Sequence, residues 1–462
     1  MLSVRRLVLR ALITPDYARL WCGQAVSMVG DEVFSTTLVL WVGTVLGRGK
    51  PWAPAAVSGV LVAVGAAILV VGPLAGVLVD RWDSRRAALG TEVVRAGLAG
   101  LLAAVSFIPM RDLPVATWLT LIYLFVFALN VSGQFFQPAR FTMIRDILPG
   151  EVDRARAASV GQATTQTVTI IGPPLAAPLL FGVGVQWALV FNAMSYVVSF
   201  AAIRSVPSRA PDVAPDRQRH EQPGLRAEFV AGLRFFRSNK ILMTLLPVAV
   251  IAQCGIAPLE TLNVFFVTAN LHASSHLYGY LGMALGVGGV IGALCAGRLV
   301  RRYGACAVTW AGISLLGVLL VVYSRQTVFA AALVLLFLLA LPMAMAVTAF
   351  APLLLEAAPR EYVGRTMAVF NPVNQLAGML ATVVAGWLLS SALRNFHGSP
   401  AGMRLGPVDL IFLVSGGLIL ISGLYARTAL RQAVATPAPA ADTPSGQTVP
   451  DRPVPDSPGS AP

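Results

Sequence analysis

The sequence is poor in charge. Of its 462 residues only 12% are charged, whereas 56% are hydrophobic, and the mean hydropathy is +0.73. Because an ordinary soluble domain carries about 25% charged residues, this composition excludes that class of protein. The chain is therefore predicted to lie in a lipid bilayer.

Residues that build disulfide frameworks, metal sites and catalytic centres are also scarce. The four histidines lie in predicted loops, and the four cysteines, which form no C-x-x-C pair, are Cys22, Cys254, Cys295 and Cys306. This pattern favours neither a disulfide framework nor a zinc site. No phosphate-binding loop and no nucleophile motif with its base occurs. We therefore predict a protein that is not an enzyme and that has no cofactor and no metal.

Long apolar runs are what the sequence has in abundance. A run of about 20 apolar residues can cross a bilayer as a helix, and twelve such runs occur. They lie roughly at 17–46, 54–79, 87–109, 114–136, 158–180, 184–203, 241–269, 277–297, 305–324, 327–355, 366–392 and 407–426. The sequence predicts an all-α polytopic membrane protein with twelve transmembrane helices in two six-helix halves.

The basic residues are distributed unevenly between the predicted loops. The net charge is +13, and if both termini are cytoplasmic, 26 of the 34 Lys and Arg residues fall in inner loops and tails and 6 in outer loops. This bias agrees with the positive-inside rule. We therefore interpret the excess of basic residues as topology, not as a nucleic-acid interface. The predicted location is a plasma membrane, specifically the bacterial inner membrane, with both termini cytoplasmic.

A hydrophilic connection separates the two sets of six spans. The predicted domains are an N-terminal half, 1–204, a cytoplasmic linker, 205–240, a C-terminal half, 241–430, and a disordered cytoplasmic tail, 431–462. Residues 225–237 of the linker have the pattern of an interfacial helix, although a solvated linker is an alternative. Short matches between the ends of spans 2 and 8 indicate a weak internal repeat. Repeats of six spans around a midplane site are typical of secondary transporters.

Three carboxylates near the middle of apolar spans are the strongest functional signal. Asp31 and Glu32 lie in span 1 and Glu260 lies in span 7. Carboxylates at this depth are costly and usually face a wet cavity or a bound ion. The predicted proton or substrate site consists of Asp31, Glu32, Glu260, Gln24 and Gln166. Among these we prefer Asp31 because it shares a helical face with Gln24, whereas a structural hydrogen bond to a neighbouring span is the alternative.

Span 3 carries a further pair of opposite charges. Glu92 and Arg95 are three residues apart on one predicted helix. Side chains at this spacing are neighbours on a helix surface. We interpret them as a structural ion pair.

Two motifs point to a known family. The end of span 2 reads Gly76-Val-Leu-Val-Asp80-Arg81 and continues to Arg85-Arg86, which resembles the loop signature of the major facilitator superfamily. The resemblance implies a conformational latch formed by Gly76, Asp80, Arg81, Arg85 and Arg86. In span 5, Gly172-Pro173 followed by Ala176-Ala177 resembles the antiporter motif of exporters in that family, with alanines in place of the usual glycines.

Further stretches narrow the resemblance to one branch. Trp21-Cys-Gly-Gln24, Thr91-Glu92-Val-Val-Arg95 and Phe136-Gln-Pro138-Ala-Arg140 are similar to the branch with the enterobactin exporters and macrolide-efflux proteins. The resemblance implies a monomeric secondary transporter, a proton-coupled exporter of drugs, siderophores or similar amphiphilic small molecules. Two alternatives stay open. One is a lipid or lysophospholipid transporter on the same fold, and the other is a non-transporting, transporter-like sensor.

Overall fold

The computed structural model describes residues 13–79, 82–148, 150–207, 234, 236–357, 363–394, 396 and 405–435. Twelve long helices run through this described part. They are α1 (Pro15–Leu40), α2 (Ala53–Val79), α3 (Ser84–Val105), α4 (Val115–Ile147), α5 (Glu151–Pro178), α6 (Val185–Ser205), α7 (Lys240–Ala269), α8 (Tyr278–Tyr303), α9 (Ala305–Ser324), α10 (Phe329–Ala357), α11 (Val363–Trp387) and α12 (Pro407–Ala435). Helices α1, α5 and α11 are prolonged by π-helical turns, Trp41–Leu46, Leu179–Val183 and Leu388–Ala392.

Short polar side chains set where several helices begin. Thr14 accepts a hydrogen bond from the backbone N–H of Tyr17 and is followed by Pro15 in the first turn of α1. The Asp83 side chain accepts from the Arg86 N–H at the start of α3, and the Asn239 side chain caps α7 in the same way. Such caps satisfy N–H groups that have no partner within the helix. They fix helix ends next to apolar segments, where unsatisfied donors are costly.

Each of the twelve helices contains a stretch long and apolar enough to cross a bilayer. This confirms the predicted fold class, an all-α membrane protein with multiple spans. Because the backbone hydrogen bonds of a helix are satisfied internally, helices are one of the two structures that can cross lipid.

The two halves repeat one packing pattern. In the first half, α1 packs on α5 and α6, α3 on α4 and α6, and α2 on α4. The second half repeats these contacts six helices later, with α7 on α11 and α12, α9 on α10 and α12, and α8 on α10. The weak sequence repeat thus corresponds to a repeat of the three-dimensional arrangement, as in transporters built from two parallel six-helix units.

Each half has its own hydrophobic core. Most of the main cluster of the first half comes from α1 to α6, with Val264 of α7 added at its edge, and in it the rings of Trp41 and Trp118 meet edge to face with centroids 5.6 Å apart. In the second half, the ring of Phe266 lies 4.8 Å from that of Tyr323 and 5.3 Å from that of Phe412. Because the two cores are largely separate, each half can move as a unit relative to the other.

The halves meet through α2 against α11 and α5 against α8. We call the side on which α1 ends the outer side, following the charge distribution of the loops. Near this side, the Ala55 N–H donates to Ser390 Oγ at 3.0 Å, and Ser58 Oγ donates to the Thr382 carbonyl at 2.9 Å. The ring of Phe181 also lies 4.4 Å from that of His276. These contacts hold the outer ends of the two halves together.

The predicted linker and tail fall largely outside the described residues. The interfacial helix predicted over 225–237 includes residues 225–233 and 235, which are not described, and the tail beyond 435 is not described either. Helix α12 runs to Ala435, five residues past the boundary placed at 430. The assignment of these two segments therefore stays a prediction.

Candidate functional site

A cavity of about 590 Å³ lies between the two halves. Helices α1, α2 and α5 line it from the first half, and α7, α8 and α10 line it from the second. Its polar lining consists of Glu32, Ser35, Thr36, Gln162, Gln166, Thr169, Glu260, Asn263, Tyr278 and Thr348. Its apolar lining includes Val39, Leu61, Ile256, Leu259, Leu285, Met343 and Val347. This mixture, within the size range of small-molecule sites, suits an amphiphilic ligand.

Both charged residues that line the cavity are acidic. Glu32 comes from the first half and Glu260 from the second, and Tyr278 lies within electrostatic range of both carboxylates. Within the described part of the chain, no Lys, Arg or His lines the cavity, and neither carboxylate has a salt bridge or a hydrogen bond. A carboxylate without a partner is costly outside water. The described lining of the cavity therefore presents two carboxylates and no positive charge.

Helix α5 sets the position of Glu32. A methyl group at Gly172 would lie 2.6 Å from Glu32 Cβ, closer than such atoms approach each other, so only glycine leaves room for this side chain. Pro173 then packs against Gly279 and Gly282 of α8. The motif in span 5 thus joins three elements at one point: the acidic residue of α1, its own helix, and α8 of the opposite half. Small residues allow this close approach of helices.

For the export activity that the sequence motifs predict, Gly172→Ala should lower the rate while the protein still folds. The added methyl group must push the Glu32 side chain aside, and overpacking costs about 1 to 3 kcal/mol. If this cost falls on the transporting conformation, the rate should decrease by about 5-fold to 150-fold. Initial rates of efflux from cells, normalised to membrane abundance, measure the effect.

Gly161→Ala is the matched control, because it lies in the same helix and a methyl group there would meet nothing within 4 Å. The control should keep its efflux. Equal rates in the two variants would contradict the positioning role of Gly172.

The Glu260 side chain is exposed to the cavity on a loosened stretch of α7. Pro258, two residues earlier, has no N–H to give to the carbonyl four residues back, so one backbone hydrogen bond of the helix is missing there. One turn later, Asn263 accepts a hydrogen bond of 2.7 Å from the Tyr323 hydroxyl. Glu260 thus lies between a turn that lacks one backbone hydrogen bond and a residue, Asn263, that is hydrogen-bonded to α9.

Asp31, which the sequence analysis preferred over Glu32, lies outside the cavity lining. Arg95 Nη2 donates to both Asp31 oxygens, at 2.7 and 3.0 Å, and the Tyr196 hydroxyl also donates to Asp31. Glu32 lines the cavity instead. Asp31 therefore has its counter-charge on α3, as in the structural alternative considered for it.

Glycines on α1 identify the face of this helix that packs on α6. A methyl group at Gly23 would lie 3.2 Å from Ser199 Cα, and one at Gly30 would lie 2.8 Å from Asn192 Oδ1, so this face of α1 packs tightly on α6. Asp31 follows Gly30 directly. Glu32 is turned about 200° from Gly30, since a helix advances about 100° per residue. The spacing of these small residues was the signal in the sequence that distinguishes the two carboxylates.

The two predicted glutamines have different surroundings. Gln166 lines the cavity as expected. The Gln24 amide instead faces the Arg140 guanidinium on α4 and is not part of the lining. The sequence interpretation grouped Gln24 with Asp31 on one face, and the structure places that face against α3, α4 and α6. It also missed Tyr278, which lies in the first turn of α8, where a short polar segment had no periodicity to mark it.

The predicted latch is described only in part. Asp80 and Arg81 lie outside the described residues, and Gly76 is described only as part of α2. Arg85 Nη2 donates to the Arg204 carbonyl at 2.8 Å and so ties the start of α3 to the end of α6. Arg86 donates its backbone N–H to Asp83. The latch role of all five residues stays a prediction.

Comparison with known proteins gives consistent matches. The family model described as Major Facilitator Superfamily matches residues 20–266 and 254–456. Macrolide efflux protein A of Streptococcus pyogenes is 27% identical over 244 residues, which are 53% of this chain and 56% of that protein. The multidrug efflux pump Tap of Mycolicibacterium fortuitum is 27% identical over 334 residues, 70% of this chain and 78% of the pump. The putative bacilysin exporter BacE of Bacillus amyloliquefaciens is 30% identical over 195 residues, 40% of this chain and 43% of the exporter.

The match thus spans a little over half the length of the macrolide efflux protein. Among solved structures, the nucleoside transporter NupG superposes with a TM-score of 0.68 at 13% identity, covering 90% of this chain and 100% of that one. A bacterial homologue of the iron transporter ferroportin, solved in an inward-facing state, superposes with a TM-score of 0.66 at 16% identity over 91% of this chain and 98% of that one. At these identities the likeness concerns the fold alone.

Proposed function

Because the chain belongs to the major facilitator superfamily, we propose that it is a secondary active exporter of amphiphilic small molecules that carry a positively charged amine, driven by inward proton movement. Membrane transporters of this family act on small molecules, and the relatives include efflux proteins. The single observation that carries the proposal is the pair Glu32 and Glu260, which line one cavity from opposite halves.

The charge of the cavity favours cationic substrates. Two carboxylates with no basic residue among the described lining attract a cation and repel an anion. Charge interactions are stronger in a site shielded from water than in bulk solvent. The apolar lining of α2, α7, α8 and α10 would hold the hydrophobic part of the substrate. Anionic siderophores and anionic lipids fit this lining less well than lipophilic amines.

Protons and substrate would occupy the same carboxyl groups in turn. An empty cavity with two charged carboxylates is costly, so each carboxylate tends to take up a proton. A bound cationic substrate replaces those protons. This exchange links transport of the substrate to transport of protons in the opposite direction. Glu260 also lies beside the loosened turn at Pro258. Substrate binding could therefore change the position of the inner part of α7.

The contacts that close the outer side of the molecule are those expected of a transporter that works by alternating access. The hydrogen bonds of Ala55 and Ser58 to α11 hold the halves together at the outer side, and Pro173 packs on α8 nearby. We propose that this is the inward-open state, in a plasma membrane with both termini in the cytoplasm. The cavity is formed within one chain, which supports a monomer as the transporting unit.

Transport by purified protein in liposomes tests the proposal. A fluorescent quaternary ammonium compound, whose permanent charge prevents passive trapping in an acidic lumen, should accumulate when the lumen of the vesicles is made acidic. It should not accumulate in protein-free vesicles, and collapse of the pH gradient with an ionophore should stop the uptake. A neutral analogue of the same shape is the matched control and should accumulate far less. Accumulation without dependence on the gradient would contradict proton coupling. Equal transport of the neutral analogue, or transport of a lysophospholipid alone, would contradict the proposed substrate class.

A further inference from the structure

A cluster of buried polar residues in the first half plays no part in the cavity. Glu92 of α3 is 0% exposed, and its Oε1 accepts a hydrogen bond of 2.8 Å from Ser199 of α6. Arg95, on the same helix, is 8% exposed and has its guanidinium 4.2 Å from the centre of the Tyr196 ring. None of these residues lines the cavity. The cluster joins α3 and α6 to α1 through the bond of Arg95 to Asp31.

The cluster contains two carboxyl groups and one guanidinium. Arg95 Nη2 lies 2.7 Å from Asp31 Oδ2, whereas Arg95 Nη1 lies 3.9 Å from Glu92 Oε1, too far for a hydrogen bond. The Asp31 side chain is 40% exposed, whereas Glu92 is fully buried. The Arg95 guanidinium therefore pairs mainly with Asp31 and interacts only weakly with Glu92.

Glu92 also has an oxygen with no partner. Among the residues that the structure describes, Glu92 Oε2 is buried and makes no hydrogen bond. A charged carboxylate normally has both oxygens satisfied when it is buried, because an unsatisfied one costs the desolvation of the charge. A neutral carboxylic acid avoids the much larger cost of burying a charge: its carbonyl oxygen accepts from Ser199, and its O–H is then a neutral donor without an acceptor among the described residues.

We propose that Glu92 binds a proton in the folded protein. In this neutral form Glu92 does not compete with Asp31 for Arg95, so the cluster is a proton-sensitive link between α1, α3 and α6. When the proton is lost, the new carboxylate competes for Arg95. The competition loosens Asp31, whose neighbour in sequence, Glu32, lines the cavity. The link is therefore a second titratable site, outside the substrate cavity, connected to the first through α1.

The groups around Glu92 on each neighbouring helix are compatible with this site. Helix α1 contributes Asp31, and α6 contributes the hydroxyl groups of Tyr196 and Ser199. Helix α4 contributes the ring of Phe136, 5.6 Å from the Arg95 guanidinium. Among the residues that the structure describes, the charged groups in electrostatic range of Glu92 are Arg95 and Asp31.

Infrared spectroscopy of the full-length purified protein in lipid nanodiscs tests the proposal. At neutral pH, the difference spectrum between wild type and Glu92→Gln should contain the C=O band of one buried carboxylic acid, which shifts in deuterated water. The variant Asp31→Asn provides the cross-check. It frees Arg95 for Glu92, so Glu92 should ionise and the band should disappear although Glu92 is still present.

Thermal unfolding supplies a second measurement. Alkaline pH should lower the melting temperature of the wild type more than that of Glu92→Gln, because glutamine cannot lose a proton. If neither variant changes the acid band, or if Glu92→Gln unfolds while Glu92→Asp is stable at every pH, Glu92 is a charged ion-pair partner and the proposal is overturned. Neither result depends on which substrate is transported, so a failed transport assay would not bear on this site.

Discussion

Replacing Glu260 with glutamine is expected to abolish active efflux of a lipophilic amine while the protein still folds and reaches the membrane. Glutamine keeps the shape of the side chain but neither binds a proton nor attracts a cation. Substrate binding and proton exchange would then each have only one of the two cavity carboxylates left, Glu32. Because only about 1.4 kcal/mol corresponds to a tenfold change in rate, we expect a decrease of at least about tenfold.

The measurement is the efflux rate of a fluorescent amine from preloaded, energised cells, normalised to the amount of transporter in the membrane. Glu32→Gln should give a similar loss. Asp153→Asn is the matched control, since Asp153 is a carboxylate near the membrane surface that pairs with Arg156 at 3.9 Å and lies outside the cavity lining. Full efflux by both Glu260→Gln and Glu32→Gln would show that the cavity carboxylates do not carry the coupling.

A covalent link between Ala55 and Ser390 is expected to stop transport completely. These residues lie in contact at the outer ends of α2 and α11, where the Ala55 N–H donates to Ser390 Oγ at 3.0 Å. Cysteines at the two positions should form a disulfide or react with a short bifunctional thiol reagent. The link would hold the outer side closed, and alternating access requires that side to open. Efflux should return when the disulfide is reduced.

The experiment needs a background without the four native cysteines, and it compares two double variants. Ala55→Cys with Ser390→Cys links the halves. Thr261→Cys with Thr382→Cys links α7 and α11 within the second half, where the two side-chain hydroxyl groups lie 3.4 Å apart. The second pair should be cross-linked without loss of efflux, because each half moves as a unit. Continued efflux by fully cross-linked Ala55–Ser390 protein would contradict movement at this interface.

The fold could be predicted because its main determinants are local. Each span is long and apolar enough by itself to require a helix in lipid. The hydrophilic stretch after Arg204 divided the spans six and six, and the contacts that repeat six helices later agree with that division. Helix ends were less accurate, since α12 continues to Ala435 through residues of good helix propensity that no longer need to be in the bilayer.

The site could be predicted only in part because helix rotation is set by packing. The depth of Asp31, Glu32 and Glu260 in their spans is visible in the sequence, and two of the three line the cavity. Which residue of an adjacent pair faces the cavity depends on how α1 packs on α6. Polarity alone favoured Asp31, whereas the small residues Gly23 and Gly30 give the packing face and favour Glu32.

The buried cluster around Arg95 could not be assembled from the sequence for a related reason. Its members lie on three helices, and only Glu92 and Arg95 are near in sequence. Tyr196 and Ser199 look like ordinary residues of an apolar span until α6 is placed beside α3. Glu92 and Arg95, which the sequence analysis paired, lie 3.9 Å apart, but Asp31 is the closer partner of Arg95 at 2.7 Å.

The most direct test of the proposed exchange is to count the protons that the purified protein releases when a lipophilic amine binds. The measurement uses weakly buffered detergent solution with a pH indicator and no membrane gradient. Wild-type protein should release protons at saturating amine, and the double variant Glu32→Gln, Glu260→Gln should release almost none, while Asp153→Asn behaves as the wild type does. Release from the double variant equal to that from the wild type would contradict exchange at these two carboxylates.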